Sequence, residues 1–491
     1  MVPLEGAVLD RKKTARFSML ETLADHDDKL MEQLLEDIEP PRDKVFDDLS
    51  RELREGLVCP VLLGSAMRTN GVLRLMKALR HEAPNVESTI KRLGVNAGSE
   101  AVAYVLKTFN TAHGGKMSVA RVLAGQIGDS TTLSSTEREV GRVAGTFKLM
   151  GQQSEKRAAA AVGETVALAK LDYAKTGDTL STGKQPHKPL IEVKPHPPVL
   201  ALAISAKDRK DDVKLGQALH KLLDEDPSIT LVHNPATHEV VLWGQGEMHL
   251  RVAAERLADR FGVAVATRRP TIGYNETIKK GVVQRGRHKK QSGGHGQFGD
   301  VVLDIKPLPR GAGFKFEDKI SGGVVPRNYI PSVEEGVIET LKHGPLGFQV
   351  VDVSVALVDG SYHTVDSSDM AFRQAARIGL VDGLPQCNPV LLEPILLVEI
   401  VCPTEATAKI NAILSGRRGQ ILGFDTREGW NGWDTVRAKM PESEIGDLII
   451  EVRSATAGVG SFSFQFDHMA ELSGKPAEQI VAARKAAAVA A

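Results

Sequence analysis

One order of elements, strand–helix–strand–strand–helix–strand, occurs twice in this chain, far apart, and that repeat constrains the fold more than any other feature. The first copy reads as strand Val199 to Ser205, helix Asp211 to Leu223, a hairpin of Ile229 to His233 and Glu239 to Gly244, helix Glu247 to Phe261, and strand Val263 to Thr267. The second reads as a strand from Ile395 to Val401, helix Glu405 to Leu414, a hairpin through Thr426 and Trp433 to Ala438, helix Glu442 to Ala455, and strand Ser461 to Phe466. Such split βαβ units place both helices on one sheet face and leave the other for a neighbour.

The repeats bracket residues 270–394, where strands are expected at Val301 to Ile305 and Val350 to Leu357, and helices at Pro331 to Leu341 and Ser367 to Gly379. This segment carries QRGRHKKQSGGHGQFGD, Gln284 to Asp300, in which Arg285, Arg287, His288, Lys289 and Lys290 precede a glycine-rich turn. The whole chain balances 62 Lys and Arg against 62 Asp and Glu, so attraction to a polyanion must be local. Basic side chains neutralise phosphates and glycine lets backbone N–H groups face an anion, while His295 and Phe298 add rings for stacking. Composition alone leaves a solvated hairpin tip equally open. A second loop, Asp359-Gly360-Ser361-Tyr362-His363, is followed by Asp366-Ser367-Ser368-Asp369, a capped helix start. Tyr362 and His363 either reach bases or simply close the turn.

The N-terminal part differs. Phe17, Leu20, Leu23, Leu30, Leu34 and Ile38 recur at helical spacing, predicting a helix over 12–39 that Pro40 and Pro41 end. A second helix is expected to about Glu55, a short apolar strand at Val58 to Leu63, and a helix from Gly71 to His81. A strand, loop and helix without further strands is the tail of an α/β domain, and one strand cannot cover two faces. Runs at Ala101 to Phe109, Met117 to Leu123, Glu139 to Phe147 and Thr165 to Leu171, separated by glycine turns, suggest a small antiparallel barrel. A proline-rich linker follows, and the tail from Pro476 is helix-prone with little to pack, so it is expected to fray.

Chemistry-bearing motifs are sparse. GxxxxGK[ST], HExxH, GxSxG and a metal-spaced His/Cys set do not occur. Gly114-Gly115-Lys116 is followed by Met117 and reads as a hairpin turn, Glu247 and His249 as a helix N-terminus, and Arg417-Arg418-Gly419 as helix capping rather than an RNA contact. Cys59, Cys387 and Cys402 are too dispersed for a disulfide framework and are expected as buried free thiols. No apolar run reaches the roughly 20 residues of a membrane span, so a cytoplasmic protein is expected.

Long ordered stretches resemble the elongation factor G family, the ribosomal translocase GTPases: PPVLALAI (197–204), EDPSITL (225–231), GQGEMHL (244–250), QSGGHGQFG (291–299), SGGVVPRNYIPSVEEG (321–336), DGSYHTVDSSDMAF (359–372) and LLEPILLVEI (391–400). The resemblance implies a multidomain α+β chain: a C-terminal remnant of the GTPase α/β domain over 1–95, a translation-factor β-barrel over 100–183, a ferredoxin-like βαββαβ domain over 198–268, an α+β domain like ribosomal protein S5 over 270–394, a second ferredoxin-like domain over 395–470, and a tail over 471–491.

The same resemblance assigns roles. Ser65 and Ala66 match the loop whose backbone touches guanine. Arg287, Lys289, Lys290, Gln291, Ser292, Gly293, Gly294, His295, Gly296, Gln297, Gly360, Ser361, Tyr362 and His363 match a ribosome- and RNA-contacting tip, with His363 at its apex. His295 stands where the family usually carries arginine, and EGWNGW (428–433) is unusual for the fifth domain. The implied partners of a monomeric factor are ribosomal RNA, ribosomal proteins and the transfer RNA–messenger RNA pair, with no membrane. The phosphate loop, both switches, the catalytic histidine and the Asn-Lys-x-Asp motif have no counterpart here, so Met1 is expected to begin inside a domain, as in a truncated protein or gene fragment. GTP and Mg are expected for the full-length parent, and neither cofactor nor GTPase activity for this chain alone. The alternatives are a non-catalytic ribosome- or RNA-binding module and a paralogue in ribosome recycling or protection.

Overall fold

The computed structural model describes residues 5–95, 100–111, 115–151, 153–183, 187–192, 194–235, 237–290 and 296–490, with backbone alone at 487–490. The chain is a mixed α+β, multidomain protein that divides into two compact units, Met1–Val193 and Lys194–Ala491.

The first unit opens with α1 (Ala7–Ala24), α2 (Asp28–Leu35) and α3 (Arg42–Glu55). The single helix expected over 12–39 is therefore two. Asp27 accepts hydrogen bonds from the Lys29 and Leu30 N–H groups and caps α2, which competes with continuing α1. Leu20, Leu23, Leu30 and Val45 pack together across the break. The strand expected at 58–63 does not form: Val61 and Leu63 are 82% and 90% exposed. An extended segment has no ladder to join when no other strand lies beside it. Two helices follow, α4 (Val72–Glu82) and α5 (Val86–Arg92), and α4 buries no residue.

The rest of this unit is β-structure: β1 (Val102–Thr111), β2 (Gly115–Ala124), β3 (Ile127–Gly128), β4 (Thr132–Ser134), β5 (Glu139–Arg142), β6 (Thr146–Met150), β7 (Gln153–Arg157), β8 (Ala159–Ala160), β9 (Thr165–Ala169) and β10 (Thr179–Ser181). Residues 139–147, expected as one run, are split between β5 and β6. Eight of these strands form a sheet in the order β5-β4-β10-β1-β2-β9-β6-β7. It has two ends, so the expected barrel is not closed by a ladder. The strands on the β5 side are only three or four residues long. The segment between β5 and β6 instead makes isolated bonds, Val143 N–H to Thr131 and Ala144 N–H to Ala169. The core is aliphatic, with Ala103, Val105, Val122, Leu133, Val166 and Leu168 buried.

The second unit contains both repeats. The first is β11 (Leu200–Ala206), α6 (Asp212–Glu225), β12 (Thr230–Asn234), β13 (Glu239–Gly244), α7 (Glu247–Asp259) and β14 (Val265–Arg268), with sheet order β12-β13-β11-β14. Leu215, Leu219 and Leu222 of α6 and Leu250 and Leu257 of α7 meet Ile204 and Leu242 from the sheet.

Between the repeats come β15 (Asn275–Ile278), β16 (Val282–Lys290), β17 (Gln297–Pro307), β18 (Phe314–Asp318), α8 (Ile330–Leu341), β19 (Gln349–Val350), β20 (Val353–Ser361) and α9 (Asp369–Gly383). A four-stranded sheet, β16-β17-β20-β18, packs its Val301, Leu303, Ile305, Val353, Val355 and Leu357 against Val333, Val337, Phe372, Ala376 and Leu380 of α8 and α9. Helix α9 crosses β16 at glycine: a Cβ on Gly286 would lie 2.1 Å from the Ala375 carbonyl oxygen.

The second repeat is β21 (Pro389–Pro403), α10 (Thr407–Gly416), β22 (Gln420–Thr426), β23 (Trp433–Pro441), α11 (Leu448–Ala455) and β24 (Ser461–Leu472). Its sheet does not stop at the expected boundary. β21 is fifteen residues long; its second half pairs with β23, its first half with β15, and β24 runs beside both. One sheet, β19-β15-β21-β23-β22, therefore spans the middle segment and the repeat. At its junction Glu276 is 1% exposed; Oε2 accepts the Leu346 N–H at 2.7 Å, and Oε1 has no partner among the described residues. Burial pushes this carboxyl up to about 7, against the pull of the Leu346 and Phe348 N–H groups and Lys485. The tail forms α12 (Lys475–Ala490), anchored by Arg484, whose Nε donates to the Gly347 carbonyl at 3.0 Å.

Of the three free cysteines, Cys387 and Cys402 are buried as expected, but Cys59 is exposed because the segment around it joins no sheet.

Candidate nucleic-acid interface

Alternation along β16 decides which charges reach solvent. Even positions turn toward α9, with Gly286 buried, while Arg285, Arg287 and Lys289 are exposed. Lys290 pairs with Gln297, Lys289 with Phe298 and Arg287 with Asp300, so the basic run forms one side of a hairpin. Gln291, Ser292, Gly293, Gly294 and His295 lie outside the described residues.

Arg285 is committed to an internal partner, though its side chain stays 60% exposed. Its Nε donates to Asp300 Oδ1 at 2.8 Å, and a second nitrogen bonds Oδ2. Asp300 is fully buried; burial works against its charge, but bonds from Arg285 and Ser361 hold its carboxyl below the usual range, and the pairing raises Arg285 in turn. Arg287, Lys289 and Lys290 are exposed and make no ion pair among the described residues. The Arg287 guanidinium lies 5.4 Å from the centroid of the Phe298 ring.

The second stretch is beside the first. β20 runs antiparallel to β17, setting Ser361 opposite Asp300 and Gly360 opposite Val301. A Cβ on Gly360 would come within 2.5 Å of the Asp300 carbonyl oxygen and of Val325, so only glycine allows this approach. Beyond β20 the chain turns back. Asp366 accepts the Gly296 N–H at its carboxylate (3.1 Å) and the Phe298 N–H at its carbonyl (2.8 Å). Ser367 Oγ donates to the Phe298 carbonyl at 3.0 Å. Ser368 caps α9 through the Ala371 N–H, as its sequence context predicts.

Within this turn His363 Nδ1 faces the Val365 and Asp366 N–H groups, at 3.3 and 3.2 Å. Its ring centroid is 6.3 Å from that of Phe298. Tyr362 is 46% exposed. His288 Nε2 meets Gln297 Oε1 at 2.9 Å. Phe298 thus has both Arg287 and His363 near its ring, bringing the two stretches into one surface of cations, rings and amides. Such a surface can neutralise phosphates and stack bases. Sequence reasoning gave Asp300 no role and read Asp366 only as part of a capped helix start, yet these carboxylates hold the surface together; their partners are 15 and 70 residues away.

The other candidates lie on other elements. Ser65 and Ala66 lie in the first unit, where the Ser65 N–H bonds the Asn70 carbonyl at 2.9 Å and Ala66 is exposed. Among the described residues no group of three or more His, Cys, Asp and Glu is placed to hold a metal ion. Arg417 and Arg418 are more than a helix cap. Arg417 bonds Asp447, Glu451 and the Glu444 carbonyl, and Arg418 bonds Glu393, Glu444 and Ser443. Arg418 rather than Gly419 takes the left-handed position, at φ 56°. Glu247 is the acid in the first turn of α7, as expected, while His249 holds Asp226 at 3.0 Å. Gly115 turns into β2 at φ 76°; Gly114 lies outside the described residues. No described helix is long and apolar enough to cross a membrane.

Comparison with known proteins gives this geometry a lineage. Family models for Elongation Factor G domain III, Elongation factor G domain IV and the Elongation factor G C-terminus match residues 196–269, 270–388 and 390–480. An "Elongation factor G-like protein" of Synechocystis sp. is 48% identical over 476 residues, 96% of this chain and 70% of that protein. An "Elongation factor G" of Aquifex pyrophilus is 36% identical over 491 residues, 96% of this chain and 69% of the relative. A crystal structure from Thermus thermophilus superposes with a TM-score of 0.75 at 34% identity, covering 98% of this chain and 72% of the other. On these matches, which run through nearly its whole length, the chain belongs to the elongation factor G family.

Proposed function

We propose that this chain is the ribosome-engaging body of an elongation factor G-like translation factor, and that its working end is the surface built from Arg287, Lys289, Lys290, Gly296, Gln297, Gly360, Ser361, Tyr362 and His363. The family acts on the ribosome and is a GTPase family. The observation that carries the reading is the junction at Phe298, with Arg287 at 5.4 Å and His363 at 6.3 Å, which makes one polyanion-facing surface of two segments distant in sequence. No covalent chemistry is needed there: cations position the RNA backbone and rings engage bases, so the end acts as a pawl that occupies space a transfer RNA has left. GTP and Mg belong to the longer relatives, and no step is routed through them here. The chain acts in the cytoplasm as a monomer, with boundaries between working parts near residues 95, 198 and 270, and a further one near 395 that β21 runs across.

The test is binding to purified ribosomes as salt is varied. Each neutralised phosphate contributes about 0.7–0.9 to the slope of log affinity against log salt. A steep slope that flattens in an Arg287→Ala, Lys289→Ala double variant supports the reading; a salt-independent affinity rejects it.

One observation favours a second reading. The relative at 48% identity is named elongation factor G-like, while the one named elongation factor G is at 36%. A paralogue working in recycling or protection uses the same surface. Translocation by the GTPase-bearing protein, with and without His363→Ala, separates the two: movement lost while GTP hydrolysis persists marks a translocase.

A further inference from the structure

A third segment reaches the same end of the second unit. Val325 is buried against Gly360, its Cγ2 occupying the space a Cβ there would take. Four residues on, the Tyr329 hydroxyl donates to the Ser367 carbonyl at 3.2 Å, and its ring stacks on Phe372 at 4.8 Å. The loop Ser361 to Asp366 is therefore gripped on both sides by one short stretch, and midway between the two anchors stands Arg327. Pro326, at φ −59°, and the 3-10 turn Arg327–Tyr329, which leads directly into α8, fix the backbone there.

Arg327 and Asn328 are exposed, and their side chains make no hydrogen bond or ion pair among the described residues. Arg373, beside the Phe372 on which Tyr329 stacks, is spent on Glu335. An arginine held on a rigid turn without an acid partner keeps its donors for an external acceptor, and its planar fork suits phosphate. We propose that Arg327 is a further RNA-backbone contact, extending the interface from two segments to three, with a phosphate group as its ligand. The idea rests on the function proposed above and deepens it.

The test measures binding of the intact chain to purified ribosomes across a salt series, for wild type, Arg327→Ala, Arg327→Gln and Arg327→Lys, with thermal melts as the check on folding. Loss of about one phosphate contact from the salt slope in the Ala and Gln variants, with Lys retaining it, supports the proposal. An unchanged slope in the Ala and Gln variants overturns it. Weakened binding at an unchanged slope also overturns it, since that result points to a protein contact. Equal loss in the Lys variant overturns it as well, in favour of a structural role. A wild type that binds with no salt dependence removes the underlying reading, and this contact falls with it.

Discussion

Ser361 donates its hydroxyl proton to the buried carboxylate of Asp300 at 2.7 Å, tying the end of β20 to the strand that carries Phe298. Arg285 closes the same carboxylate from the other strand. Asp300→Asn should therefore loosen both connections. The expected cost is about 1–3 kcal/mol, since two donors lose an ionised acceptor. Chemical denaturation of the variant checks this, and a change within experimental error would show that the carboxylate is not what holds the strands.

Gly286 lets α9 approach β16 closely. Gly286→Ala should overpack this contact and destabilise by about 1–3 kcal/mol. Gly216 in α6 is the control, because a Cβ there meets nothing within 4 Å. Gly216→Ala should be neutral or stabilise by up to about 1 kcal/mol, as helix propensity requires. Melting temperatures moving in the same direction for both variants would contradict the packing argument.

Glu276 makes stability depend on pH. An unperturbed glutamate titrates at 4.5, and in the fold this one titrates at about 7. Between those values the folded chain holds a proton that the unfolded chain has released, so stability falls as pH rises through the interval and remains lower above it. Glu276→Gln removes this dependence. The difference between variant and wild type should grow by up to about 3 kcal/mol from pH 4.5 to pH 8. Denaturation series at several pH values read it directly; parallel curves would mean the carboxyl is not shielded from water.

The cysteines should react unequally. Cys59 is exposed, whereas burial pushes the Cys387 and Cys402 thiols up from their ordinary range. An aromatic disulfide reagent should titrate one thiol in the native chain and three after denaturation. Rapid modification of all three without denaturant would refute the placement of Cys387 and Cys402.

Legibility followed the range of the interactions. The two βαββαβ repeats were readable because each element carries its own period. α6 and α7 keep their leucines at helical spacing. The capped start of α9 was readable for the same local reason, whereas the basic run was read as charge and not as the strand it forms. The break at Asp27 was missed because one side-chain cap outweighed an otherwise continuous apolar spacing. Residues 58–63 have strand composition, but a strand also needs a partner, and composition does not supply one. Arg417 and Arg418 looked like a helix end because their acids, Glu451 and Glu393, come from other elements. Of the candidate surface, the cations and the Tyr362–His363 stretch were legible, and the carboxylates that join them were not.

The uninterrupted β21 has a mechanical corollary. Because a single strand is hydrogen-bonded to β15 at one end and to β23 at the other, no swivel separates the middle segment from the last repeat. Displacement at one end would reach the α10 and α11 layer through that shared strand, with the irregularity in its β24 ladder at Ile395–Leu396 as the point of give.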